Sequence, residues 1–208
     1  MLKNIILIIA ATFLFFACQN TGQQVNEEEP AIEGQPPTEE EPGFKTAKNK
    51  ETNLFGGGKG RDTKTLFDRG VENVKASRYQ EGLEYFDRVI EADPDNALAY
   101  YNRGYCYYSL KHYDKANVEF DQAIDLNPRD SISYLYKGLI KYFQQDYPGS
   151  IEFYNKALEI YPRYHMALYN RGISKGQLND YSGAIADFTE CLKYNPDFPD
   201  AIYNRGLA

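Results

Sequence analysis

Three patterns of apolar and polar residues follow one another along the chain. An apolar run, interrupted only by Thr12, extends from Ile5 to Cys18 behind a single Lys3. From Gln19 to about Asp62 the residues are mainly Glu, Gln, Pro, Gly and Thr, with very little to bury. Beyond Asp62, apolar residues return every three or four positions, the spacing of one face of an α-helix. That pattern repeats at a step of 34 residues, in blocks that begin at Thr63, Ala97, Ser131 and His165, with a fifth opening at Pro199.

Aligned at this step, four columns stay in phase without an insertion. The eighth position is Gly70, Gly104, Gly138, Gly172 and Gly206, and the seventeenth is Tyr79, Tyr113, Tyr147 and Tyr181. The twenty-fourth is Phe86, Phe120, Tyr154 and Phe188, and the thirty-second is Pro94, Pro128, Pro162 and Pro196. The proline lacks an N–H and disfavours helical geometry in the residue before it, so it ends a helix. The glycine lets a first helix, A, approach a second, B, because a Cβ there would push them apart. Small residues at position twenty (Gly82, Ala116, Ser150, Ala184) do the same from the other side. The tetrapeptide Tyr-Asn-Arg-Gly recurs at 101–104, 169–172 and 203–206 because it is positions five to eight of helix A.

These columns resemble the tetratricopeptide repeat, a 34-residue helix–turn–helix unit. The resemblance covers residues 63–208 and implies an all-α fold, a right-handed α-solenoid of antiparallel helix pairs. Four units are expected at 63–96, 97–130, 131–164 and 165–198, with a partial fifth at 199–208. In such solenoids positions two, five, nine and twelve of helix A line a concave groove. The resemblance thereby places Leu98, Tyr101, Tyr105 and Tyr108 in it, then Ile132, Leu135, Leu139 and Tyr142, then Met166, Tyr169 and Ile173, and finally Tyr203 and Leu207. The other reading of these rings is packing between adjacent A helices.

Position six is Asp68, Asn102, Tyr136, Asn170 and Asn204. Some superhelices of this family grip the backbone of an extended peptide with an Asn ladder here, since an amide both donates and accepts. In this chain the ladder is broken at Tyr136 and altered at Asp68, and its Asn residues could equally satisfy neighbouring turns. Position seven is basic throughout: Arg69, Arg103, Lys137, Arg171 and Arg205. That regularity suggests pairing with Asp87 or Asp121 on helix B, rather than a row of ligand-binding cations. The clamp for a terminal carboxylate found in some family members needs Asn at position nine, where Val71, Tyr105, Leu139 and Ile173 stand here.

The opening segment changes the picture more than the composition does. The apolar run is shorter than the roughly 20 residues that span a bilayer and has the flanks of a secretory signal. Phe15-Phe16-Ala17-Cys18 resembles a bacterial lipobox, which implies a signal peptide over 1–17 and a lipidated Cys18. Residues 18–62 would then be a disordered tether, with a reach of about 35 Å as a flexible coil. Gly56-Gly57-Gly58-Lys59-Gly60 lacks the spacing of a phosphate-binding loop and reads as the end of that linker. The expected location is the bacterial envelope, anchored by lipid, with Gln19 favouring the outer membrane.

The net charge of -7 comes from the tether, where seven Glu and no basic residue lie between Gln19 and Gly43; residues 44–208 are close to neutral. That balance excludes the basic footprint of a nucleic-acid binder. His112, His165, Cys106 and Cys191 fall apart from one another in the repeat alignment, so no metal, cofactor or catalytic constellation is expected, and the two thiols read as buried. The expected partner is a protein or peptide held in a Tyr-rich groove. The chain resembles small tetratricopeptide lipoproteins that assist envelope assembly, such as pilus-biogenesis or peptidoglycan-enzyme adaptors. The alternatives are a non-catalytic part of a larger enzyme and a purely structural oligomer, self-associating through an uncapped C-terminal end where Ile202, Tyr203 and Leu207 stand.

Overall fold

The computed structural model describes residues 57–208, with side chains from Asp62 onward. The expected signal peptide, the lipidated Cys18 and the tether as far as residue 56 lie outside the described residues. Nine α-helices occur among those described: α1 (Gly57–Lys75), α2 (Tyr79–Ala92), α3 (Ala97–Ser109), α4 (Tyr113–Leu126), α5 (Ser131–Phe143), α6 (Tyr147–Ile160), α7 (His165–Gln177), α8 (Tyr181–Tyr194) and α9 (Pro199–Leu207). Successive helices pack as hairpins, and α1 also meets α3, α3 meets α5 and α5 meets α7. The result is an all-α solenoid whose A helices are α1, α3, α5, α7 and α9. No described helix is long and apolar enough to cross a membrane.

Residues 57–62, expected to finish the tether, are instead the opening turns of α1. Extending a helix already fixed by packing adds a hydrogen bond per residue without a new nucleus. That gain carries the helix through Gly57, Gly58 and Gly60, although each glycine costs about 1 kcal/mol relative to Ala.

The contact between paired helices is built on one recurring seat. A Cβ placed on Gly70, Gly104 or Gly172 would fall 2.6, 2.9 or 2.7 Å from the ring of Phe86, Phe120 or Phe188, and one on Gly138 would strike Tyr154. The absent side chain at position eight is therefore the space that the ring at position twenty-four fills. Phe86, Phe120 and Tyr154 are fully buried as a consequence. Ser150 at position twenty donates to the Ser174 hydroxyl at 2.8 Å, tying α6 to α7. Cys106 and Cys191 are buried free thiols, and burial pushes both up to about 12.

Four A helices, α1, α3, α5 and α7, end in the same way, which the sequence did not announce. Ser77, Lys111, Gln145 and Asn179, all at position fifteen, are left-handed with φ between 56 and 63°. The N–H of Gln145 bonds the Tyr142 carbonyl at 2.8 Å, and that of Asp146 bonds Lys141 at 2.9 Å, with equivalents in the other three repeats. This is a Schellman closure made without glycine. The following B helices α6 and α8 are capped by Asp146 and Asp180, which accept from the Gly149 and Gly183 N–H at 3.0 Å each. Asn96 and Asp130 cap α3 and α5 in the same manner.

Candidate functional site

The A helices carry the candidate residues, and packing between repeats decides which of them stay accessible. Tyr101, Tyr105, Leu135, Leu139 and Tyr169 are buried. The Tyr101 ring lies 6.0 Å from Tyr136 and 6.1 Å from Phe120, and Tyr105 lies 5.5 Å from Tyr136. Tyr169 packs on Phe188 and, at 4.8 Å, on Phe198. These rings fill the joints between consecutive repeats. Tyr108 and Ile173 remain half-buried, as do Leu98, Met166 and Tyr142, while Tyr203 is 66% exposed.

The three Asn residues do not form one row. Asn102 and Asn170 are buried, and their Nδ2 groups donate to the carbonyls of Leu98 and Met166 at 2.7 and 2.8 Å, one turn back along their own helices. Asn204 instead donates to the Tyr169 hydroxyl at 3.1 Å. Tyr136, at the break in the row, is buried and is the hub of the aromatic cluster, stacked on Phe120 at 5.4 Å and 18°. A ring in this position joins two A helices by packing, where Asn102 and Asn170 bond only within their own.

Position seven forms an inter-repeat ladder. Arg103 meets Asp87 of the preceding B helix at 2.7 Å and Glu119 of its own B helix at 2.8 to 3.0 Å. Arg171 repeats this with Asn155 at 2.7 Å and with Asp187 at 2.6 and 2.9 Å. Lys137 pairs with Asp121. The expected partners Asp87 and Asp121 are thus in place; Glu119 and Asp187, at position twenty-three, escaped the sequence reading. Burial raises the Glu119 carboxyl above its usual range, although Arg103 pulls it the other way. Burial would lower Arg103, but its two carboxylate partners outweigh that and leave it raised. Charge is consumed here by structure, so these cations do not offer a ligand-binding row.

A second aromatic feature lies where A helices finish and B helices start. Tyr108 lies 5.7 Å from Tyr113 and 6.3 Å from Phe143. Tyr113 stacks on Phe143 at 5.6 Å and 9°. Tyr142 continues the line, 5.9 Å from Phe143 and 5.5 Å from Tyr147. All five rings are half-buried. Beside Tyr113 opens a cavity of about 490 Å³ lined by Lys111, His112, Tyr113, Asp114, Lys115 and Gln144. Aromatic residues at positions twelve, thirteen and seventeen of neighbouring repeats are the signal that would have located this strip. Among the described residues no group of three or more His, Cys, Asp or Glu could hold a metal ion.

Comparison with known proteins agrees with this geometry. Two models described as tetratricopeptide repeat match the chain, one over residues 67–119 and 112–165 and the other over 165–198. No functionally curated protein matches it in sequence. Among solved structures, Pseudomonas aeruginosa pilF is similar with a TM-score of 0.65 and 17% identity, over 71% of this chain and 68% of its own. PilW, a type IV pilus biogenesis factor, gives 0.63 and 25%, over 70% of each chain. YrrB, a tetratricopeptide protein with an unusual peptide-binding site, gives 0.59 and 18%, over 80% of this chain and 81% of its own. With the repeat models matched across more than half of its length, in register with the observed helix pairs, the chain belongs to the tetratricopeptide repeat family.

Proposed function

We propose that this protein is a scaffold of the bacterial cell envelope that binds protein or peptide partners on the inner face of its A helices. In this reading it is anchored through a lipidated Cys18 and held off the membrane by the segment that follows. The observation that carries the binding role is the absence of charge from that face. Positions two, five, six, nine, twelve and thirteen of α3, α5 and α7 include Leu98, Asn102, Tyr108, Leu135, Tyr142, Met166, Ile173 and Gln177, and none of them is charged at neutral pH. A quarter of the chain is charged, so a neutral, aromatic and partly accessible surface spanning three repeats is a feature of interaction sites. Similarity in fold to PilW and to YrrB supports the same reading, since one is named for pilus biogenesis and the other for peptide binding.

The test is photo-crosslinking in cells from Ile173, which is half-buried on the inner face; Tyr105 is buried and unsuited. Recovery of one defined protein, lost when Tyr108 and Met166 are changed to Ser, is the expected result. Adducts of the chain with itself alone would overturn the scaffold reading in favour of a structural oligomer. Replacing Cys18 with Ala should release the protein from the membrane fraction; retention would remove the anchor.

A further inference from the structure

We propose that residues 35–42 of this chain, which carry Glu39, Glu40 and Glu41, dock on the basic edge formed by the A-to-B turns of the first two repeats. This edge lies apart from the inner face of the A helices, so the proposal stands independently of the scaffold reading.

The repeats are close to neutral as a whole, but their charge is sorted. Positions thirteen to twenty, where an A helix ends and its B helix starts, hold Lys75, Arg78 and Glu81 in the first repeat and Lys111, Asp114 and Lys115 in the second. All six side chains are exposed. The same positions of the third and fourth repeats hold Asp146 and Asp180 and no Lys or Arg. Those two Asp cap α6 and α8, whereas Arg78 and His112 precede α2 and α4 without a side-chain cap. The first N–H groups of α2 and α4 therefore add partial positive charge beside the lysines. The recess of this edge is the cavity lined by Lys111, His112 and Lys115, with Asp114 as its one carboxylate.

The edge where B helices end has the opposite sign in the same two repeats. Glu91, Asp93 and Asp95 stand there in the first, and Asp125 and Arg129 in the second. Because paired helices run antiparallel, α1 starts on this acidic side, at Gly57. Like charge disfavours Glu39, Glu40 and Glu41 where the chain enters the repeats, and opposite charge favours them at the far edge. The chain is long enough to reach it. With 19 residues α1 is about 28 Å long, and α3 packs beside it. Residues 42–56 extend to about 50 Å. Pro36, Pro37 and Pro42 restrict the backbone around the acidic run, so less entropy is lost on docking. Lys45, Lys48 and Lys50 follow it in the sequence, but isolated pairs between exposed side chains contribute little. A fixed edge with four cations acts on all three Glu together.

The experiment is cleavage of the full chain, held in detergent, by a glutamate-specific protease, with the cuts after Glu39, Glu40 and Glu41 timed by mass spectrometry. Cleavage follows the fraction of time the segment spends undocked. At low salt the wild type should be cut there about fivefold or more slowly than Lys111→Glu/Lys115→Glu. Salt at about 0.5 M should remove the difference, because it screens exposed charges beyond a few ångströms. Arg129→Glu/Arg163→Glu makes the same change in net charge on the opposite edge and should not speed cleavage. Lys75→Glu/Lys115→Glu is a second pair that leaves the left-handed Lys111 in place, and circular dichroism checks that each variant folds. Equal rates in wild type and both basic-edge variants would overturn the proposal, as would equal acceleration by the opposite-edge pair. Protection that persists at high salt, or that rises with protein concentration and so reports docking between copies, would overturn it too.

Discussion

Lys137 meets an aromatic ring where Arg103 and Arg171 meet a carboxylate: its ammonium lies 5.0 Å from the centre of Phe153. Phe153 occupies in its repeat the place of Glu119 and Asp187 in theirs. A point charge suits a ring and one acid, whereas a planar guanidinium suits two acids at once. The third repeat has changed both members of the pair together.

This difference predicts unequal costs. Arg103→Met leaves the buried Glu119 without its cation and should destabilise the protein by about 3 kcal/mol. Lys137→Met strands only Asp121, whose side chain is half exposed, and should cost about 1 kcal/mol. Urea denaturation of the two variants decides; equal losses would mean that the ring and the carboxylate are interchangeable.

Two glycines in one helix should respond oppositely to the same change. Gly172→Ala drives a methyl into Phe188 and should cost about 1–3 kcal/mol. A Cβ on Gly176, one turn along α7, meets nothing within 4 Å. Gly176→Ala should therefore gain up to about 1 kcal/mol from helix propensity. Melting temperatures of the pair, moving in opposite directions, are the expected result.

The left-handed closures are an opening for stabilisation. Gln145 holds φ at 62°, a conformation that costs a side-chain-bearing residue about 1 kcal/mol and glycine almost nothing. Gln145→Gly should raise stability by a substantial part of that amount. Asn179→Gly should gain less, because Asn tolerates this region better. A lower melting point for Gln145→Gly would show that its side chain contributes more than the strain removes.

Asp146 gives the acid limb a specific origin. The Lys141 ammonium, and then the Gly149 N–H, hold its carboxyl below the usual value of 3.8. A depressed acid stabilises the fold above its unfolded value, and that contribution is lost as pH falls through the folded one. Asp146→Asn keeps a capping oxygen but does not titrate. The melting-temperature gap between wild type and variant should narrow steadily below pH 3.8. A gap independent of pH would assign the shift elsewhere.

How far the sequence disclosed this structure depends on whether a residue's role is local or shared. The glycine and ring columns were legible because each repeat contains both members, Gly104 and Phe120 for example, and their steric logic is complete within 34 residues. The Schellman closures were hidden because Ser77, Lys111 and Gln145 are not the glycines that usually announce them. The inner face was only half legible. Helical spacing put Tyr101, Tyr105 and Tyr169 on one stripe, which the family resemblance assigned to that face, but whether a ring on it is open depends on its neighbour in the next repeat. For Tyr105 that neighbour is Tyr136, in the row reserved for Asn. Asn102 and Asn170 were found in their expected row, with side chains turned along their own helices by carbonyls no alignment could reveal.

The ladder at position seven runs in one direction: each of Arg103, Lys137 and Arg171 reaches the B helix of the repeat before it. Arg171 looks back to Asn155, and Lys137 looks back to Asp121. Excising residues 131–164 would join Asp130 to His165 and bring Asp121 to the place that Asn155 holds opposite Arg171. The splice would exchange an amide for a carboxylate under the guanidinium and leave a shorter solenoid with a stronger joint. A chain built in this way can lose a whole unit and keep a partner under its position-seven cation, although the Tyr136 cluster and the Ser150–Ser174 tie would go with the excised repeat.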